Sequence, residues 1–187
     1  MSQQRVRIWN ECSLRNFRNN LLCLFAIDHF QARIVLEVVS VKSEELASQF
    51  ELLARLLKVW RDNPFKIRSY EFAAKTIRSR LPDGEIDEDS IKSLSQIKGI
   101  GKAIQEKSLQ YLHEGKIEKI EELRTDTPKS IYRLIVDGKI ETGILAFLWK
   151  DAGLTKPEEL LEFLTRRRDE LKLNTEDLSR FEKLLIP

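Results

Sequence analysis

The sequence of 187 residues is 42% apolar and 33% charged, with 7 Gly and 5 Pro, the composition of an ordinary soluble protein. That length holds one helical domain with a real core, or two small ones. The formal net charge of +2 does not by itself point to nucleic acid, so any such case has to rest on local features.

No apolar run approaches the roughly 20 residues a membrane span needs, so no membrane partner is expected. Residues 21–27 form a short apolar run behind Arg15 and Arg18 that faintly resembles a signal peptide. It lacks a small-x-small cleavage pattern and is followed by Asp28 and His29, so secretion is not expected. Cys12 and Cys23 are the only cysteines, without CxxC spacing or a His cluster. Neither a zinc site nor a disulfide framework is implied, and no metal or other cofactor is expected. A reducing compartment is the default, cytoplasmic or, in a bacterium, nucleoid-associated.

Residues 1–40 read as a poorly anchored extension, or as an extra helix packed on the domain. Residues 33–41 (RIVLEVVSV) are β-branched enough for a strand, yet no second segment offers itself as a partner, and an isolated strand is marginal. From Ser43 the pattern turns helical. Leu46, Phe50, Leu53, Leu57 and Trp60 make one apolar stripe, with Ser43 as the N-cap. Asp62-Asn63-Pro64 ends that helix, because proline disfavours helical geometry in the residue before it.

Ile67, Tyr70, Ala74, Ile77 and Leu81 give a second stripe, closed by Pro82-Asp83-Gly84. Charge is uneven here. Between Arg55 and Arg80 there are eight Lys or Arg against Asp62 and Glu71 alone, and residues 83–89 hold five acids. Such a basic segment beside an acidic loop either steers a polyanion onto one face or is simply two solvated helix faces. A short third helix is expected over residues 89–95, then a hairpin, then a fourth helix over 102–113 ended by Gly115. Further on, Thr127-Pro128 opens a helix, residues 141–151 form another before Gly153, and Thr155-Lys156-Pro157 opens one running to about Leu173. Thr175 is expected to cap a last short helix. The fold class is all-α: a four-helix helix-hairpin-helix unit followed by a degenerate second one. The expected division is 1–40 extension, 41–124 first unit and 125–187 C-terminal helical region.

The informative string is LSQIKGIGKAIQEKSLQYL, residues 94–112. Gly99 and Gly101 are expected to leave the hairpin backbone unshielded, so that amides approach a phosphate closely while the next helix aims its positive end at the same point. Ile100 would plug inward, and Lys98 and Lys102 would flank the site with charge. Contacts of this kind read no bases and are salt-sensitive. The bland reading of the same string is a tight turn that merely needs glycine.

Residues 43–124 resemble the N-terminal helix-hairpin-helix, lyase-type domain of the family X DNA polymerases. NPFKIRSYEFAAKTI (63–77) is similar to that domain's second helix, IKGIGKAIQEK (97–107) to its hairpin, and LHEGKIEKIEELR (112–124) to the next segment. The resemblance implies a helical domain that binds gapped DNA and 5′-phosphates. It also implies a candidate Schiff-base lysine at Lys107, a pocket tyrosine at Tyr70, and basic phosphate-side positions at Lys66 and Lys119; Arg68 is counted with the DNA-binding residues. The sequence departs from the family at Phe72, Ser95 and Ala103, which stand at basic positions, and at Gln105 and Ser108, which stand at small or apolar ones. The pocket is therefore thinned. In residues 127–164 a second hairpin resembles the family's, but Lys139-Ile140-Glu141 occupies the place of the glycines, so that hairpin should bind DNA poorly. Leu145, Phe147 and Trp149 are expected in the core, and Arg166-Arg167-Arg168 at an exposed helix end. No strand carries an Asp-x-Asp pattern, so nucleotidyl transfer is not expected.

Three functions remain open on these grounds. One is a non-catalytic DNA-binding module, alone or delivering a repair enzyme to gapped DNA. Another is a 5′-deoxyribose-phosphate or abasic-site lyase using Lys107. The third is a protein-interaction domain that has kept the fold.

Overall fold

A computed structural model describes residues 41–81 and 83–186. The expectations for residues 1–40 lie outside the described residues. Among those described, the structure is all-α, with nine α-helices: α1 (Ser43–Trp60), α2 (Pro64–Arg80), α3 (Glu88–Ser95), α4 (Lys102–Glu114), α5 (Glu118–Asp126), α6 (Lys129–Asp137), α7 (Thr142–Ala146), α8 (Pro157–Arg166) and α9 (Thr175–Leu185). A π-helical turn, Phe147–Asp151, continues α7.

The stripe on α1 does what its spacing implies. Leu46, Phe50 and Leu53 are fully buried and Leu57 nearly so, while Trp60 is half-buried. Each full burial of a Leu- or Phe-sized side chain contributes roughly 1.5–3 kcal/mol before entropy is counted. The cap differs from expectation. Lys42, not Ser43, is the N-cap, and its N–H donates to the Glu45 carboxylate. Ser43 is the first helical residue, buried, with its N–H donated to the Gly84 carbonyl at 3.0 Å. The reason is a pairing across the sequence: Lys42 bridges antiparallel to Glu85, and Ile86 N–H donates to the Val41 carbonyl at 2.9 Å. The end of the β-branched stretch thus finds a partner in the loop before α3, although only as one bridge.

Asn63 caps α2 by accepting from Phe65 N–H at 2.8 Å, and Pro64 takes the first helical position where no N–H is needed. Small Ala73 and Ala74, both buried, let α2 lie close to α1. Asp87 caps α3, accepting from both the N–H and the hydroxyl of Ser90, so that helix starts one residue before the expected Asp89.

Two clusters of buried side chains share α1. Its N-terminal half, through Leu46, Ala47 and Phe50, packs with Ala73, Ala74, Ile77, Leu94, Ile100 and Ile104. Its C-terminal half, through Leu53, Leu56, Leu57 and Val59, packs with α5, α6 and α7 in a cluster that includes Ile120, Ile131 and Leu145 and is extended by Leu160 of α8 and Phe181 of α9. One helix therefore supports both the hairpin and the C-terminal region.

In the C-terminal region three expectations are corrected. First, α8 ends at Arg166 rather than near Leu173. Residues 165–170 contain no apolar side chain and all are exposed, so nothing anchors a helical face there; the chain turns instead, with Lys172 at φ 54° and Leu173 N–H donating to the Arg168 carbonyl. Second, Asn174 rather than Thr175 caps α9, in a reciprocal pair: Asp177 N–H donates to its side chain at 2.8 Å, and its own N–H donates to Asp177 at 3.1 Å. Third, Phe147 is 49% exposed. The wide turn, in which Ala152 N–H reaches back to the Phe147 carbonyl, shifts the register so that Leu148 is buried in its place. Leu145 is in the core as expected, and Trp149 is half-buried, edge-on to Trp60 at 4.9 Å between ring centres.

Candidate nucleic-acid interface

Local hydrogen bonds build the turn between α3 and α4. Ile97 N–H donates to the Leu94 carbonyl and Ile100 N–H to the Ile97 carbonyl, both at 3.0 Å. The chain then passes through Gly99 at φ 103°, a left-handed conformation that L side chains rarely adopt. Ile100, 7% exposed, drops into the cluster formed with Phe50, Ala73, Leu94 and Ile104.

Gly101 is the N-cap of α4, in extended geometry and with no side chain to satisfy the helix. Its carbonyl accepts from Ile104 and Gln105 N–H. The amides of Gly101, Lys102 and Ala103 have no intrahelical acceptor, by the geometry of any helix start, and the first turn carries no acid. The result is three N–H donors at the positive end of a 13-residue helix.

The two glycines have different surroundings. A Cβ at Gly101 would meet nothing within 4 Å, whereas a Cβ at Gly99 would lie 2.8 Å from Cε1 of Phe72. The expected unshielded backbone is therefore open at Gly101, while at Gly99 an aromatic ring from α2 lies against it. Sequence pattern gave no sign of this, because it depends on how α2 crosses the hairpin.

Lys98 and Lys102 are both exposed. Lys102 Nζ lies 3.6 Å from Glu106 one turn on, a solvent-screened pair that holds the lysine weakly. Lys98 has no ion pair among the described residues.

The other expected site residues form a second group. Lys66 Nζ is 3.4 Å from Asp62, and Lys119 Nζ is 2.6 Å from Glu122. Asp62 lies near both lysines: its carboxyl is held below the usual range first by the Asn63 N–H and then by Lys66 and Lys119. The Glu122 contact leads the causes that raise the Lys119 ammonium. Burial pushes the phenol of half-buried Tyr70 up, Asp62 adds to this, and Lys119 opposes it. Lys66, Tyr70 and Lys119 are thus brought together, but around a carboxylate. Asp62 was legible only as part of a helix stop. Lys107 is half-buried on α4 and makes no ion pair among the described residues. Arg68 is exposed, its guanidinium 5.5 Å from the centre of the Phe65 ring. Ala103 is exposed, Gln105 is half-buried, and buried Ser108 donates to the Ile104 carbonyl at 2.9 Å.

Half of the eight basic residues between Arg55 and Arg80 are paired with acids among the described residues, Lys66 with Asp62 being one case. Lys58 pairs with Glu71, Arg61 with Asp151, and Arg78 with Glu44 and Glu51. Arg166, Arg167 and Arg168 are exposed and pair with Glu162, Glu170 and Asp169.

The second hairpin also buries an isoleucine before a helix start, but its turn is shorter, residues 138–141 against 96–101, and its chemistry differs. Gly138 ends α6 at φ 87°, Ile140 is 3% exposed, and Glu141 is the N-cap of α7. Lys139 Nζ is 3.2 Å from the buried Asp177 carboxylate. A carboxylate at the helix start, beside a lysine already paired, disfavours an anion.

Among the described residues no helix is long and apolar enough to cross a membrane, and no group of three or more His, Cys, Asp or Glu is placed to hold a metal. No curated protein matches the chain. A family model described as a helix-hairpin-helix domain matches residues 42–117, from the cap of α1 to the cap of α5. With the turn of residues 96–101 seated between α3 and α4, residues 42–117 have the all-α helix-hairpin-helix fold that this match supports.

Proposed function

We propose that this chain binds DNA through the phosphate backbone, without sequence preference, at Lys98, Gly99, Ile100, Gly101 and Lys102. The observation that carries the reading is the set of free amides at Gly101, Lys102 and Ala103, open to solvent and flanked by exposed Lys98 and Lys102. A phosphate there accepts backbone hydrogen bonds strengthened by its charge and by the helix dipole. None of these donors meets a base edge, so affinity depends on phosphate and salt rather than sequence.

The resemblance of residues 43–124 to the family X polymerase domain extends this to gapped or 5′-phosphorylated DNA. On that reading the chain is a non-catalytic module, acting alone or bringing a repair enzyme to such DNA. The lyase alternative has less support. A Schiff-base lysine is helped by neighbouring unpaired cations, but Phe72 and Ala103 stand at two of the family's basic positions, and the phosphate-side lysines, Lys66 and Lys119, have Asp62 and Glu122 against them. Borohydride trapping on gapped DNA bearing a 5′-deoxyribose phosphate decides between the two, since a covalent adduct abolished by Lys107→Ala is expected only of the lyase.

The DNA-binding reading is tested by anisotropy titrations of unrelated oligonucleotide sequences at several salt concentrations. Closely similar affinities that fall steeply with salt are expected. Affinity that varies with sequence, or a flat salt dependence, contradicts it.

A further inference from the structure

Phe72 is a large apolar side chain on the outer side of α2 that nevertheless remains 42% exposed. One part of its ring lies against Gly99, where a Cβ would come within 2.8 Å of Cε1 and 3.3 Å of both Cδ1 and Cζ. The remainder faces solvent beside the corner of the hairpin. Leaving an aromatic ring exposed forgoes burial, and here it is held against the turn that presents the free amides. Phe65 lies two helical turns earlier on the same side of α2, but the Arg68 guanidinium already lies over that ring, 5.5 Å from its centre. Among the described residues, no cation covers Phe72.

We propose that Phe72 is a stacking platform for an unpaired nucleobase, whose own or adjacent phosphate sits on the amides of Gly101, Lys102 and Ala103. The inference rests on the phosphate-binding reading of the hairpin and adds a preference that phosphate contacts alone cannot give. A duplex keeps its bases stacked on one another, whereas a single strand or a gap offers one to the ring. Every base has a π-face, so the platform discriminates strandedness without reading sequence. The packing against Gly99 fixes the ring beside the phosphate site at little entropic cost on binding.

The test compares two labelled oligonucleotides of equal length and charge, one of thymidines and one of abasic tetrahydrofuran sites, titrated with the full chain. Wild type is expected to bind the thymidine strand more tightly, by roughly fivefold or more, which is the low end of what one stacked base contributes. Phe72→Leu keeps an apolar group over Gly99 and removes the π-face. It should abolish that preference while leaving affinity for the abasic strand and the thermal melt close to wild type, and Phe72→Trp should keep or widen the preference. An unchanged ratio in Phe72→Leu overturns the proposal. Equal, salt-sensitive binding of both strands by wild type overturns the stacking and leaves the hairpin reading standing. Absence of binding to either strand overturns both.

Discussion

Ile100 and Ile140 hold the same place in two successive helical hairpins, 7% and 3% exposed, each plugging the turn that precedes a helix start. The next residue differs between the two: Gly101 caps α4, and Glu141 caps α7. The buried plug is common to both hairpins, and a helix start without an acid at its cap or in its first turn belongs to the first. Truncating either plug to alanine is expected to cost about 2–5 kcal/mol of stability, the usual range for deleting a buried aliphatic side chain. Under conditions where both variants remain folded, only Ile100→Ala should also weaken DNA binding. Urea melts paired with anisotropy titrations check this, and equal loss of affinity at both positions would assign DNA contact to both hairpins.

The contact between Phe72 and Gly99 makes a stability prediction independent of DNA. Gly99→Ala meets two costs, a left-handed φ of 103° and a 2.8 Å approach to the ring. The backbone cost alone is about 1–2 kcal/mol. Placed in a Phe72→Ala background, the same substitution should lose only the backbone part, so its effect is smaller there. A double-mutant cycle from denaturant melts reads the difference, and strict additivity would show that the ring does not restrict Gly99.

Lys102 follows the plug of the first hairpin by two residues and Lys139 precedes that of the second by one, and the two differ in their partners. Lys102→Ala should weaken DNA binding several-fold and reduce the salt slope by about one, as expected for losing one phosphate contact. Lys139→Ala should leave affinity nearly unchanged, since Lys139 is committed to Asp177. Comparable losses at both would restore a two-hairpin clamp.

Asp62 carries one prediction for stability and one for binding. Its carboxyl titrates lower in the folded chain than when free, held down by the Asn63 N–H and by Lys66 and Lys119. A lowered folded value means that its contribution is complete above the unfolded value, near pH ~4, and is lost as pH falls through the folded value. Asp62→Asn should therefore flatten the acid limb of a stability-against-pH curve. It should also raise DNA affinity if Lys66 and Lys119 touch the strand, because it removes the carboxylate near both. An affinity that does not rise places those lysines outside the DNA contact.

The stripe from Leu46 to Leu57 and the hairpin at residues 94–104 were legible because their signals are local: helical spacing in one case, glycines around an isoleucine in the other. The features that escaped were set by contacts between distant segments. Lys42 takes the cap from Ser43 because residues 84–86 lie alongside it. Phe72 reads as a lost basic position until α2 is laid across Gly99. Asp62 reads as punctuation until Lys119 is brought near it from 57 positions away. The early end of α8 was visible in retrospect, since residues 165–170 offer nothing apolar to hold a helix.

The most direct measurement is the DNA affinity of Gly101→Val. Gly101 has an extended backbone, at φ −92° and ψ 171°, that valine adopts without strain, and a Cβ there meets nothing within 4 Å. The fold should survive, with a cost of at most about 1 kcal/mol at the cap, while the branched side chain stands where a phosphate must approach the amides of Gly101, Lys102 and Ala103. Affinity for single-stranded and gapped DNA is expected to fall at least tenfold, about 1.4 kcal/mol, with circular dichroism and the thermal melt near wild type. A folded Gly101→Val chain that binds DNA as tightly as wild type would show that the hairpin is only a turn.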